Sequence, residues 1–116
     1  MGLPIDKLIC ASNANNVLTD FLQTGVYDRN RPFYNTASPS MDILISSNLE
    51  RLLFDLTGSD EEIRGYMASL NATGRYEVSQ KVKDAVRAQF VSGFCDDART
   101  LNTIEKVFHN TGYLMD

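Results

Sequence analysis

The chain has 116 residues, of which 43% are hydrophobic and 22% charged, and it carries a net charge of −4. That leaves room for one modest core and fits a folded domain rather than a disordered one. The acidic balance argues against nucleic acid as a partner, and no apolar run nears the roughly 20 residues a membrane span needs.

In chain order, residues 5–11 form a short apolar run after Pro4 and before Ser12-Asn13, the pattern of a buried parallel-type strand. Asn15 or Asn16 is expected to cap a helix whose Val17, Leu18, Phe21 and Leu22 share a face, with Gly25 ending it. Strand, Asn-rich turn and helix make half of a βαβ unit, and the turn lies at the carboxyl end of the strand, where α/β folds collect ligands. Residues 26–40 show no clean period and carry Arg29, Arg31, Pro32 and Pro39, so they read as a long loop, either functional or merely connecting.

From Ser47, the residues Leu49, Leu52, Leu53 and Leu56 mark a helical face closed by Gly58. Ser59 and Glu62 predict a reciprocal capping box for the next helix, with Ile63, Tyr66, Met67 and Leu70 inward. A turn at Thr73-Gly74-Arg75 leads to a helix over about 80–90 with Val82, Val86 and Phe90 inward, then a brief strand at 91–95. Asp96 or Asp97 opens a last amphipathic helix carrying Leu101, Ile104, Val107 and Phe108, ended by Gly112; Tyr113-Leu114-Met115 continues apolar.

Cys10 and Cys95 belong to no C-x-x-C pair and read as reduced thiols, a disulfide staying open should their strands prove adjacent. With His109 the only histidine, no histidine-based metal site is expected. Neither a signal nor a transit pattern is visible, so the expected location is cytoplasmic.

The densest functional signal runs from Thr36 to Arg51, a polar, turn-forming stretch that ends abruptly in an apolar helix. Exposed amides at a helix start, the guanidinium of Arg51 and the hydroxyls of Ser38 and Ser40 suit an anion, against the blander reading of Arg51 as a surface residue pairing with Glu50 or Asp55. Asp42 is expected to order the turn by accepting backbone hydrogen bonds. None of Lys7, Lys81, Lys83 and Lys106 looks desolvated enough for a Schiff-base amine.

Ser12-Asn13-Ala14-Asn15-Asn16-Val17-Leu18-Thr19-Asp20-Phe21-Leu22, Gly25-Val26-Tyr27, Ser38-Pro39-Ser40-Met41-Asp42-Ile43 and Ser47-Asn48-Leu49-Glu50-Arg51-Leu52-Leu53-Phe54 resemble, in order and spacing, successive landmarks of threonine synthase. A weaker similarity continues through Phe94-Cys95-Asp96-Asp97 to Thr111-Gly112-Tyr113-Leu114. The resemblance implies residues 1–116 as a single segment of that enzyme's catalytic fold: a small, helix-rich α/β piece of the three-layer, tryptophan synthase β-like architecture, with a few mostly parallel strands. It implies pyridoxal phosphate as cofactor of the parent enzyme, O-phosphohomoserine as its small-molecule substrate, and loss of phosphate followed by addition of water. The family's Schiff-base lysine and Gly-Asn-Phe-Gly phosphate loop would precede this stretch and a Pro-His-Thr segment would follow it.

The expected chain is therefore an interior segment whose partner is the remainder of the enzyme, inactive and cofactor-free alone and prone to self-association. Asn13, Ser38, Ser40, Asp42, Asn48 and Arg51 are the residues expected at the substrate cleft. The competing reading is a stand-alone acidic α/β binding module for a small anion or a protein; the coding sequence around the stretch separates the two.

Overall fold

The computed structural model describes residues 2–115. Strand β1 (Leu8–Ser12) is followed by helix α1 (Val17–Thr24) and the three-residue strand β2 (Val26–Asp28). A single 3-10 turn (Pro39–Met41) then precedes α2 (Ser47–Thr57) and α3 (Asp60–Thr73). Strand β3 (Arg75–Glu77), helix α4 (Gln80–Gln89), strand β4 (Phe90–Phe94) and helix α5 (Asp97–Thr111) complete it.

Helix boundaries follow local chemistry. The side chains of Ser46, Ser59, Ser79 and Asp96 accept bonds from first-turn amides of α2, α3, α4 and α5. Gly25 stops α1 in the left-handed region at φ 78°, a conformation that favours glycine, and a Cβ there would fall 2.4 Å from Cε of Lys83, so that the lysine side chain would have to shift.

The capping box of α3 is only half made. Ser59 Oγ accepts from the Glu62 amide at 3.2 Å, whereas the Glu62 carboxylate turns outward to accept from the Tyr66 hydroxyl at 2.5 Å. The Ser59 amide donates instead to the hydroxyl of Thr57. At α1 neither asparagine caps with its side chain: Asn16 accepts from Arg31, and Asn15 is drawn into the loop.

The strands make two separate pairs. β1 and β4 are parallel, with Leu8 opposite Phe90 and Ser12 opposite Phe94. β2 and β3 form an antiparallel ribbon in stretches whose sequence gives no strand signal, with Tyr27 opposite Tyr76. α1 lies against both pairs, burying Val17, Phe21 and Leu22, while Thr19 donates from its hydroxyl to the carbonyl of Gly93 at 3.1 Å. Leu49 and Leu53 from α2, Ile63 and Leu70 from α3, and Val82 and Val86 from α4 close the core around the tyrosine ribbon.

Beyond that core much apolar surface is bare. Ile9 is 78% exposed and Phe94 54%, and α5 buries none of its residues although its sequence is amphipathic. A parallel pair normally has both faces covered. Cys10 and Cys95 are free, half-buried thiols; burial pushes the Cys10 thiol up, with a hydrogen bond to Ser12 working the other way. No helix among the described residues is long and apolar enough to cross a membrane.

Candidate functional site

The polar turn comes to rest on the carboxyl end of β1. There the chain leaves the strand through Asn13, whose side-chain oxygen accepts from the Asn15 amide at 2.9 Å and so makes an Asx turn. Both asparagines are buried polar residues and need partners. They find them in the loop, chiefly in Asp42.

Asp42 is the centre of the cluster. One carboxylate oxygen accepts from Asn13 Nδ2 at 2.7 Å, from the Thr36 hydroxyl at 2.8 Å and from Asn15 Nδ2 at 3.1 Å. The other accepts from the Thr36 amide at 3.1 Å. Desolvation alone would raise the Asp42 carboxyl; the donors from Thr36, Asn13 and Asn15 outweigh it and hold the group below the usual carboxylate value. Asn15 also grips the backbone of Tyr34 in both directions, donating to its carbonyl at 2.8 Å and accepting from its amide at 2.9 Å.

Ser38 stands at the edge of this network, with its hydroxyl 3.4 Å from Asn13 Nδ2 and 3.3 Å from the Thr36 hydroxyl. Ser40 is exposed on the 3-10 turn that follows. Asn13, Asp42 and the Ser38 hydroxyl are thus all engaged within the protein, whereas Ser40 stands exposed.

Of the six residues expected at one cleft, the structure brings Asn13, Ser38 and Asp42 into contact. Ser40 stays exposed on the 3-10 turn, and the remaining two, Asn48 and Arg51, lie along α2. Asn48 borders an open apolar recess of about 260 Å³ lined by Cys10, Leu18, Leu22 and Phe90. Arg51 is exposed, in a shallow groove with Phe54 and Arg64, and forms none of the ion pairs found among the described residues.

Sequence reasoning missed Thr36 and Asn15 as members of the cluster, and gave Arg31 no role of its own. Arg31 pairs with Asp20 at 2.7 Å and donates to the carbonyl of Asp28, tying β2 to α1. The only signal in advance was the run of small polar residues with nothing nearby in sequence to satisfy them.

No group of acidic, histidine or cysteine residues suited to a metal occurs among the described residues. No lysine joins the cluster either. Lys7 donates to the Ala88 carbonyl, Lys83 sits 3.6 Å from Glu77, and Lys81 and Lys106 are exposed. A cofactor bound through a desolvated lysine has no anchor in these residues.

No protein-family profile matches the chain. It is 39% identical over its whole length to threonine synthase-like 1 of Homo sapiens, of which it covers 16%, and 38% identical to threonine synthase of Pseudomonas aeruginosa, of which it covers 25%. The crystal structure of PLP-bound threonine synthase from Brucella melitensis superposes on all of it with a TM-score of 0.94 at 45% identity, and the chain covers 25% of that protein. The chain thus spans a quarter or less of the length of these relatives, yet each match runs along all of it. Sequence and fold together put this chain in the threonine synthase family, as a stretch corresponding to part of such an enzyme.

Proposed function

We propose that residues 1–116 act as one segment of the catalytic fold of a cytoplasmic threonine synthase. The whole enzyme is a carbon–oxygen lyase that converts O-phospho-L-homoserine and water to L-threonine and phosphate, with pyridoxal phosphate held by residues outside this stretch. The observation that carries the reading is a 0.94 TM-score over the full chain to a PLP-bound threonine synthase at 45% identity. Within that enzyme the turn at Ser38–Asp42 forms part of the substrate cleft. Asn13 and Asp42 hold its shape while Ser38 and Ser40 offer hydroxyls to the substrate's anionic groups. Asn48 and Arg51 extend the same wall along α2.

The test is turnover of O-phosphohomoserine by the full-length enzyme, followed by Arg51→Lys, which keeps the charge and loses the bidentate fork. A rise in the Michaelis constant of about tenfold is expected, from loss of a charge-assisted hydrogen bond. With the fold intact, unchanged turnover and an unchanged Michaelis constant would make Arg51 a surface residue only.

The isolated chain is inert and associates with itself through the bare sheet face and α5. Support comes from the exposure of Ile9 and Phe94 and from the absence of any buried residue on α5. Mixed with pyridoxal phosphate it is expected to yield no stoichiometric adduct fixed by borohydride, and light scattering should show oligomers that dissociate on dilution. A fixed adduct on Lys83, or monomers at every concentration, would contradict these expectations.

A further inference from the structure

Asp42 anchors one end of the segment that joins the polar turn to α2, and a different residue anchors the other. Tyr27, in the middle of β2, is 1% exposed, yet its hydroxyl reaches out of the core. It donates to the carbonyl of Leu44 at 2.6 Å and accepts from the amide of Ser46 at 3.0 Å. Ser46 is in turn the cap of α2, with its own hydroxyl accepting from the Leu49 amide. One phenol therefore fixes where the turn ends and where the helix begins.

The ring that carries this hydroxyl has no freedom to swing. It stacks on Tyr76 at 5.2 Å between centroids with only 5° between planes, and meets Phe21 edge-on at 6.1 Å. Tyr76 stacks in turn on Tyr66 at 5.3 Å. A rigid aromatic column thus ends in a hydrogen-bonding tip aimed at residues 44–46. Side chains locked by packing are the means by which a fold holds a site to within fractions of an ångström.

We propose that Tyr27 is a positioning residue for the substrate cleft. Its hydroxyl clamps Leu44–Ser46 and so sets the distance between the Ser38–Asp42 turn and the residues of α2. The assignment rests on the reading of that turn as substrate-facing, and it adds a residue that does not touch substrate. Tyr27→Phe keeps the stacking and removes only the clamp, leaving two backbone groups without their partner.

The experiment compares Tyr27→Phe with Tyr76→Phe in the full-length enzyme. Tyr76→Phe removes a hydroxyl from the same stack that holds neither Leu44 nor Ser46. For Tyr27→Phe the Michaelis constant for O-phosphohomoserine should rise about three- to tenfold, the cost of one or two backbone hydrogen bonds, with turnover changed less than about twofold. For Tyr76→Phe both should stay unchanged. Amide exchange supplies the second measurement: in Tyr27→Phe the Ser46 amide should exchange about tenfold faster while Val78 and Gly74 stay protected.

A lowered melting temperature with an unchanged Michaelis constant, or exchange accelerated equally at Ser46 and Val78, would make Tyr27 a core residue and overturn the assignment. If the unsubstituted protein fails to turn over O-phosphohomoserine, the enzymatic reading falls. The exchange pattern at Ser46 still decides whether Tyr27 is the clamp.

Discussion

Phe21→Ala is expected to lower the stability of this fold by about 3–5 kcal/mol, the usual cost of deleting a buried phenyl ring. Phe21 is 1% exposed and touches the tyrosine ribbon on two sides, edge-on to Tyr27 and tilted at 6.3 Å to Tyr76. The surrounding rings belong to two strands and cannot easily collapse into the space left. Urea unfolding should show the midpoint fall by about 2 M at an unchanged slope. Phe54→Ala makes the matching control, because that ring is 51% exposed. It should move the midpoint by no more than a few tenths of a molar, in keeping with a surface substitution. Equal losses from both variants would mean that the core does not lie where α1 meets the ribbon.

Asp42→Asn should be the most damaging single change at the candidate site. The new amide would point a donor into a nest where Asn13, Asn15 and Thr36 already donate. In the full-length enzyme the turn should lose its shape, with kcat/KM falling roughly a hundredfold, as expected when reacting groups are displaced by about 1 Å. The pH dependence separates this from general damage. Because the native carboxyl is held below its usual value, the stability it lends is complete above about pH 4 and disappears as pH falls through the lower, folded-state value. The melting temperatures of parent and variant should therefore differ most near neutrality and converge in acid. A constant gap from pH 7 to pH 3 would show that the Asp42 charge is not what organises the turn.

The helices were legible from sequence because their signals are local. Ser59, Asp96, Gly25, Gly58 and Gly112 lie within a few residues of the turns they cap, and the leucines of α2 repeat at helical spacing. The ribbon strands were not legible, since three residues are too few to show an alternating pattern and each is defined by its partner. β1 runs from Leu8 to Ser12 rather than over 5–11 for the same reason: its limits are set by Phe90–Phe94 and by the bond from the Cys95 amide to the Ser12 carbonyl.

The site divides in the same way. The density of turn-forming residues marked Ser38–Asp42, and the Asx chemistry of Asn13 was implicit in the Asn-rich turn. That Asn13, Asn15 and Thr36 converge on one carboxylate depends on bonds reaching 27 and 29 residues along the chain, which only the folded path provides. Tyr27 carried no polar signal at all, because its ring belongs to the core and only the folded path brings its hydroxyl to residues 44–46.

The pairing of β1 with β4 also has a consequence for synthesis. Leu8 must wait for Phe90, about 80 residues later, before the parallel pair can form. At translation rates of about 5–20 residues per second, the first strand leaves the ribosome some 4–16 s before its partner exists. During that interval Ile9 and its neighbours have no strand partner, and the β2–β3 ribbon is itself completed only late in the same interval, when Tyr76 has been made. Within this stretch β1 thus waits longer for its partner than β2 does, and it offers a ribosome-bound chaperone an unpaired apolar handle.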